Sequence, residues 1–255
     1  MGALWGPLTP GTHASTTWQV GRCRFWARST ADEWEIASRY ATSDDEVVDE
    51  AEDDLSWTRF VTVANDQLNL VPALPDRAVV VRPASPIVVL PERWGRFFFR
   101  VPLWVRFVSQ PGGTPTTMVE IPTRRPPSIW FGSIASGELC YALEAPLERR
   151  LEEVILSEAY AACEVIVRNS SRERLRFERI CVHVENMRLF RAEDRLWTNE
   201  VRVAFRGAEH TSQLTFLPLP PDTAGRAVEV SEPRVPPDSG IIKRSFALIR
   251  EITGM

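Results

Sequence analysis

A mainly β fold is what this sequence predicts: an antiparallel β-sandwich, as one large piece or two packed ones, with a short C-terminal helix. Three observations carry that expectation. Apolar and polar residues alternate through much of the chain, most clearly from Phe97 to Val108, where Phe97, Phe99, Val101, Leu103, Val105 and Phe107 form one period-two face. Breakers are frequent, with 20 Pro and 13 Gly in 255 residues, and they cut the chain into short runs. Strand-like runs follow one another directly instead of alternating with helical patterns, which favours a sandwich over βαβ units.

Taken in order, Trp18–Ala27 alternates with Cys23, Phe25 and Ala27 on one face, and Trp34–Tyr40 is its expected partner across a turn at Ser29–Asp32. Asp44–Asp54 then places eight carboxylates among eleven residues, the pattern of a solvated loop or short exposed helix. Trp57–Val63 resumes the alternation. Ala78–Arg82 and Ile87–Leu90 are short apolar runs cut by Pro83, Pro86 and Pro91, so short or edge strands are expected. After Phe97–Val108, Gln110–Thr117 and Thr123–Ser128 read as loops. They mark the expected boundary between an N-terminal half, 1–110, and a C-terminal half, 111–255.

Ile129–Phe131 and Glu138–Leu143 follow as short strands around Gly132 and Gly137. Leu147–Leu156 has helical spacing at Leu147, Leu151, Val154 and Ile155 and predicts a short helix. Cys163–Arg168, Leu175–Glu185, Met187–Phe190, Glu200–Arg206 and Gln213–Phe216 read as strands, the first two joined by a hairpin-type turn at Asn169–Arg172. The apolar phase moves from odd to even numbers between Phe177 and Ile180, the mark of a β-bulge. The proline-rich Leu217–Gly240 is extended and irregular. Ile241, Ile242, Phe246, Ile249 and Ile252 then have the spacing of an amphipathic helix, with Gly254 as its stop.

Composition bounds the function. Of the 30 basic residues only Lys243 is lysine, so Schiff-base or general-base lysine chemistry has one candidate, in a polar stretch. A net charge of −4 does not suggest nucleic-acid binding. No apolar run approaches the ~20 residues that cross a bilayer, and Met1–Pro10 has neither a basic nor an apolar signal region. A cytoplasmic protein without a transmembrane segment is the expectation. Cys23, Cys140, Cys163 and Cys181 lack C-x-x-C spacing and read as reduced, buried thiols.

The run from Pro102-Leu103 through Ser128-Ile129-Trp130-Phe131-Gly132 to Gly137-Glu138-Leu139-Cys140-Tyr141-Ala142-Leu143 resembles an uncharacterised family of archaea and some bacteria, domain of unknown function 432. The resemblance extends into Val165–Phe190 and covers about two-thirds of the chain. It implies an all-β fold and brings no activity or active residues. The acidic run and the use of Arg for Lys depart from the family's pattern.

No catalytic, phosphate-binding or cofactor motif is present, and no cofactor is expected. His13, His183 and His210 have no Ser or Asp placed beside them by sequence, and no G-x-S-x-G elbow occurs. Cys181 and His183, at i and i+2, share one strand face and with Cys163 on a neighbouring strand would make three zinc ligands. A packed strand containing a cysteine is the commoner reading, so no metal ligand is assigned. The acidic run lacks the order of an EF-hand loop.

The most informative feature is a pair of arginine ladders interleaved with aromatics. Arg22, Arg24, Trp26 and Arg28 lie opposite the core face of the first strand, and Arg96, Arg100, Trp104 and Arg106 opposite that of the strongest one. Guanidinium groups stack on rings and fork onto carboxylates or phosphates, which points to a recognition face for a protein partner or anionic ligand. Arginines that cover aromatics and pair with cross-strand Glu are the plainer alternative. The expected function is a non-enzymatic interaction or accessory module. A glycan- or small-molecule-binding sandwich, stacking on Trp26, Trp104, Trp130 or Trp197, is the alternative. A hydrolase would require His183 or His210 beside Ser, Cys or a carboxylate.

Overall fold

The computed structural model describes residues 4–8, 15–30, 32–43, 54–62, 67–110, 114–135, 137–193, 195–207, 212–236 and 246–248. His13, His210, Lys243 and residues 44–53 of the acidic run lie outside them. The chain divides into two compact units. Unit 1 comprises Met1–Ala73, Pro102–Arg125 and Ser157–Ala159, and unit 2 comprises Leu74–Val101, Pro126–Leu156 and Tyr160–Met255. A single cut near residue 110 does not separate them, because the chain enters unit 1 again after β-strand residues that belong to unit 2.

Unit 1 holds β1 (Gly6–Pro7), β2 (Thr16–Val20), β3 (Cys23–Ser29), β4 (Glu33–Tyr40), β5 (Thr58–Val61), β6 (Leu68–Ala73), β10 (Trp104–Ser109) and β11 (Thr116–Pro122). They form two antiparallel sheets, ordered β1-β6-β10-β11 and β2-β3-β4-β5. The expected partnership across Ser29–Asp32 is present, with Cys23 opposite Tyr40 and Ser29 opposite Trp34. Alternation aims Phe25 and Phe107 inward, and their rings meet 5.9 Å apart between the two sheets. Burying such a ring contributes about 1.5–3 kcal/mol.

Unit 2 holds β7 (Val79–Val81), β8 (Ile87–Val89), β9 (Trp94–Pro102, ending at the unit boundary), β12 (Ser128–Phe131), β13 (Glu138–Ala142), β14 (Tyr160–Asn169), β15 (Leu175–Val182), β16 (Leu189–Ala192), β17 (Arg195–Thr198), β18 (Val201–Phe205), β19 (Gln213–Phe216), β20 (Val228–Ser231) and β21 (Phe246–Leu248). One sheet runs β12-β13-β7-β15-β21 with β8 also on β15, and the other runs β19-β18-β14-β17-β16-β20 with β9 on β14. Phe97 and Phe177 meet edge to face at 5.9 Å and join the two. Most ladders are antiparallel, but β7–β13, β14–β17 and β14–β18 are parallel.

Several sequence expectations are corrected. The period-two run at 97–107 is not one ribbon: Leu103 separates β9 from β10, which pair in different sheets. Asn169–Arg172 is no hairpin turn, because β14 and β15 belong to different sheets. The buried Asn169 side chain instead fastens a corner, donating to Val89 O at 2.9 Å and Glu173 O at 2.7 Å and accepting from Ser171. Leu147–Leu156 forms only a single 3-10 turn at Leu151–Glu153, since Leu147 bridges to Pro83. No terminal helix forms at Phe246–Leu248, which is a strand on β15, and the rest of 241–252 lies outside the described residues. The predicted bulge is present as a register shift between Phe177 and Ile180. β7 is short, as Pro83 requires, yet central.

Candidate metal centre

The strand β13 alternates, so Glu138 and Cys140 share one face while Leu139 points out, 46% exposed. Cys181 lies on β15 and His183 immediately past its end, and both are fully buried. The central β7 brings these two pairs together. It pairs in parallel with β13, Tyr141 opposite Val79, and antiparallel with β15, Cys181 opposite Val80. Small and apolar side chains fill the space around the sulfurs: Ala78, Val80 and Phe131 pack with Cys140 and Cys181.

β15 ends at Val182, and His183 leads into a 3-10 turn at Val184–Asn186. That turn carries Glu185 back, so its Oε1 stands 3.0 Å from His183 Nδ1. The other ring nitrogen, Nε2, faces Glu138 Oε1 at 3.4 Å. Donor atoms of Glu138, Cys181 and His183 all lie within 4.8 Å of one another. Cys140 adds a second sulfur, with its Sγ 3.7 Å from Cys181 Sγ.

Two of these separations equal edges of a tetrahedron around one ion, although Cys140 lies outside the group of three donors, Glu138, Cys181 and His183, that stand within 4.8 Å of one another. Two sulfurs each about 2.3 Å from a zinc-like ion sit about 3.8 Å apart, and a nitrogen and an oxygen at about 2.0–2.1 Å sit about 3.3–3.4 Å apart. A disulfide fits less well. β7 lies between the two cysteine strands, so their backbones are about 9–10 Å apart at two strand spacings. A disulfide spans no more than about 7 Å between Cα atoms. Glu185 occupies the place of the carboxylate that commonly holds a ligating histidine by its second nitrogen, fixing the tautomer and the ring.

Charge at the cluster is negative. The Cys181 thiol is pushed well above its ordinary range, first by its contact with Cys140, then by burial and by the Glu138 and Glu185 carboxylates. A cation reverses that effect, because it stabilises the thiolate. By contrast, Cys23 and Cys163 are held up to about 12 mainly by burial, and Cys163 hydrogen-bonds Thr198 in the other sheet of unit 2. The grouping of Cys163 with Cys181 and His183 therefore does not form. Sequence assigned no metal ligand; the structure gathers Glu138, Cys181 and His183, with Cys140 against Cys181 and Glu185 behind His183. The signal that finds them is a pair of alternating patterns, Glu-x-Cys and Cys-x-His-x-Glu, on strands that share a neighbour.

The arginine ladders sit elsewhere. Arg22, Arg24, Trp26, Arg28, Trp104 and Arg106 are in unit 1, and Arg96 and Arg100 in unit 2. Trp26 and Trp104 are buried at 2% and 6% exposure, so neither indole is presented to solvent. Arg28 pairs with Glu35 and Arg106 with Glu120, each directly opposite in register. Arg96 reaches Glu164 at 3.1 Å, and Arg100 donates to Ile155 O at 2.9 Å while lying over Tyr160. Arg24 lies 5.2 Å from the Trp26 ring centroid, and Arg22 is half-buried at the β2–β3 turn. Of the proposed stacking platforms Trp197 is buried and Trp130 is 48% exposed. No helix among the described residues is long and apolar enough to cross a membrane.

The family model described as "Protein of unknown function (DUF432)" matches residues 4–250, nearly the whole chain. No curated protein and no solved structure matches it.

Proposed function

We propose that this chain, which belongs to the DUF432 family, binds one transition-metal ion of the zinc class in unit 2, through Glu138, Cys181 and His183, with Cys140 standing beside Cys181. The observation that carries the reading is His183 itself: a fully buried imidazole with Nδ1 on a carboxylate and Nε2 turned toward a second carboxylate beside a cysteine. Soft sulfur with imidazole selects zinc and its neighbours over calcium or magnesium, which take oxygen donors. The ion would tie β13 to β15 across β7. Its role is then to stabilise the sheet, consistent with the absence of a catalytic motif in the sequence.

The arginine and aromatic face offers weaker support for a docking module. Its two indoles are in the core, and four of its guanidinium groups are engaged by Glu35, Glu120, Glu164 and Ile155 O. Chelator-stripped protein titrated with cobalt(II) tests the metal reading. The wild type should take one ion per chain and develop thiolate-to-cobalt charge transfer with intense tetrahedral d–d bands. Cys181→Ser should lose both. Equal spectra for the two proteins, or no uptake by the wild type, would overturn the assignment.

A further inference from the structure

One end of unit 2 carries a second feature, independent of the metal reading. β8 and β9 pair in different sheets, and so do β14 and β15, so both connections cross from sheet to sheet. Asn169 stitches the two crossings together: its backbone N donates to Arg93 O and its side chain to Val89 O, both at 2.9 Å. The first crossing is a tight turn in which Arg93 N donates to Leu90 O, and it leaves Leu90 52% and Trp94 62% exposed. No other tryptophan among the described residues is as exposed as Trp94. We propose that this end of unit 2 docks on an anionic lipid bilayer, with Leu90 and Trp94 entering below the headgroups and the neighbouring arginines pairing with the lipid phosphates.

Each of the two apolar side chains has an arginine beside it. Leu175 opposite Val89 is the end rung between β15 and β8, so the next position outward sets Arg174 next to Leu90. The bond from Asn169 to Arg93 likewise sets Arg168 beside Trp94 on neighbouring strands. Arg93 and Arg172 lie in the crossings themselves. All four arginines are exposed, and none has a side-chain partner among the described residues. Glu92 and Glu173 are the carboxylates of the same crossings, so positive charge prevails there by four to two, in a chain whose net charge is −4. Guanidinium groups fork onto phosphate, and an indole is favoured where one side is apolar and the other wet. A leucine gains nothing from stacking on a base, which favours lipid over single-stranded nucleic acid as the occupant. The buried Asn169, bonded to both crossings, holds the turn in place, so little ordering is left to be done on docking.

Co-sedimentation of the full chain with lipid vesicles tests this. Vesicles of phosphatidylcholine mixed with phosphatidylglycerol should carry the protein down and release it as salt is raised, and vesicles of phosphatidylcholine alone should bind far less. Arg168→Gln combined with Arg174→Gln should weaken binding about thirtyfold. Leu90→Ala combined with Trp94→Ala should weaken it about tenfold to hundredfold. Both double variants should unfold at the temperature of the wild type, because all four side chains are exposed. Wild-type tryptophan emission should move to shorter wavelength on the mixed vesicles, and Trp94→Phe should bind without most of that shift. No binding to the mixed vesicles, equal binding to both vesicle types, or full binding by either double variant would overturn the inference. Tighter binding to a single-stranded oligonucleotide, lost in the same variants, would give the face to nucleic acid and overturn it as well. None of these outcomes bears on the metal reading.

Discussion

Replacing Glu185 tests the proposed centre without touching a ligand. Its Oε1 accepts from His183 Nδ1 at 3.0 Å, with the Glu185 side chain 12% exposed and the imidazole fully buried. A hydrogen bond to a charged partner is worth about 1.5–3 kcal/mol net, and at this burial little of it is lost to screening. Each about 1.4 kcal/mol is a factor of ten in affinity. If the bond holds the ring in its loaded orientation, its loss corresponds to about a tenfold to hundredfold weaker ion affinity, the range found for such supporting carboxylates. Glu185→Gln keeps an accepting oxygen but no charge and should sit near the lower end. Glu185→Ala removes the acceptor and should sit near the upper. Competition for zinc against a chromophoric chelator measures both, and each variant should still bind one ion per chain. Unchanged affinity in both variants would refute the role given to Glu185. So would a loss matched by an equal fall in the stability of the metal-free protein, which would mark a purely structural contact.

Three further outcomes follow from other parts of the structure. Cys163, held up to about 12 by burial and hydrogen-bonded to Thr198, should resist iodoacetamide at pH 8 until the protein is unfolded; rapid labelling seen by peptide mass spectrometry would contradict its placement. The Glu164 carboxyl is raised, mainly by burial, against the opposing pull of Thr223 and Arg96. The folded state therefore binds its proton more tightly than the unfolded state, and its contribution is fully present below the ordinary carboxylate range and fades as pH rises through the raised value. Glu164→Gln should flatten that part of the denaturant-derived stability profile, and a profile parallel to the wild type would contradict the assignment. In Gly137→Ala the added methyl would meet Trp130 and stand 2.6 Å from Ser133 O. The change should break the 3.1 Å bond from Trp130 Nε1 to Ser133 O, shift tryptophan emission and cost about 1–3 kcal/mol, as overpacking does; unaltered emission would refute it.

Local pattern made some of this legible and topology hid the rest. The pairing of Trp34–Tyr40 with the preceding strand follows from alternation and a short turn, both visible in sequence. So does the bulge between Phe177 and Ile180, because a shift of one residue moves every later side chain to the other face. The break at Leu103 was invisible for the opposite reason: its alternation stays in phase with both neighbours, and nothing local says that β9 and β10 pair in different sheets. The centre was half legible. The i, i+2 spacing of Cys181 and His183 is visible in sequence, but Cys163, the cysteine expected on a neighbouring strand, lies in the other sheet. Their true partners, Glu138 and Cys140, arrive through a parallel ladder to β7, and parallel pairing carries no turn signal. A half-exposed Arg beside an aromatic reads alike in sequence whether it awaits a ligand or covers its own sheet; the register that sets Arg28 opposite Glu35 and Arg106 opposite Glu120 appears only in the fold.

The central place of β7 sets an order of events during synthesis. Val79, Val80 and Val81 emerge early, but the strands that flank them contain Cys140 and Cys181, tens of residues later. At translation speeds of about 5–20 residues per second, about 100 residues separate β7 from its second neighbour, an interval of about 5–20 s. Through that interval the ribosome-bound chain carries a bare, three-valine edge that can pair with any passing strand. The donor set is complete only once residue 183 has left the ribosomal tunnel. Metal supply would therefore act on a nascent chain whose sheet is already closing, and a shortage would be felt first as aggregation of newly made protein and only later as instability of the finished fold.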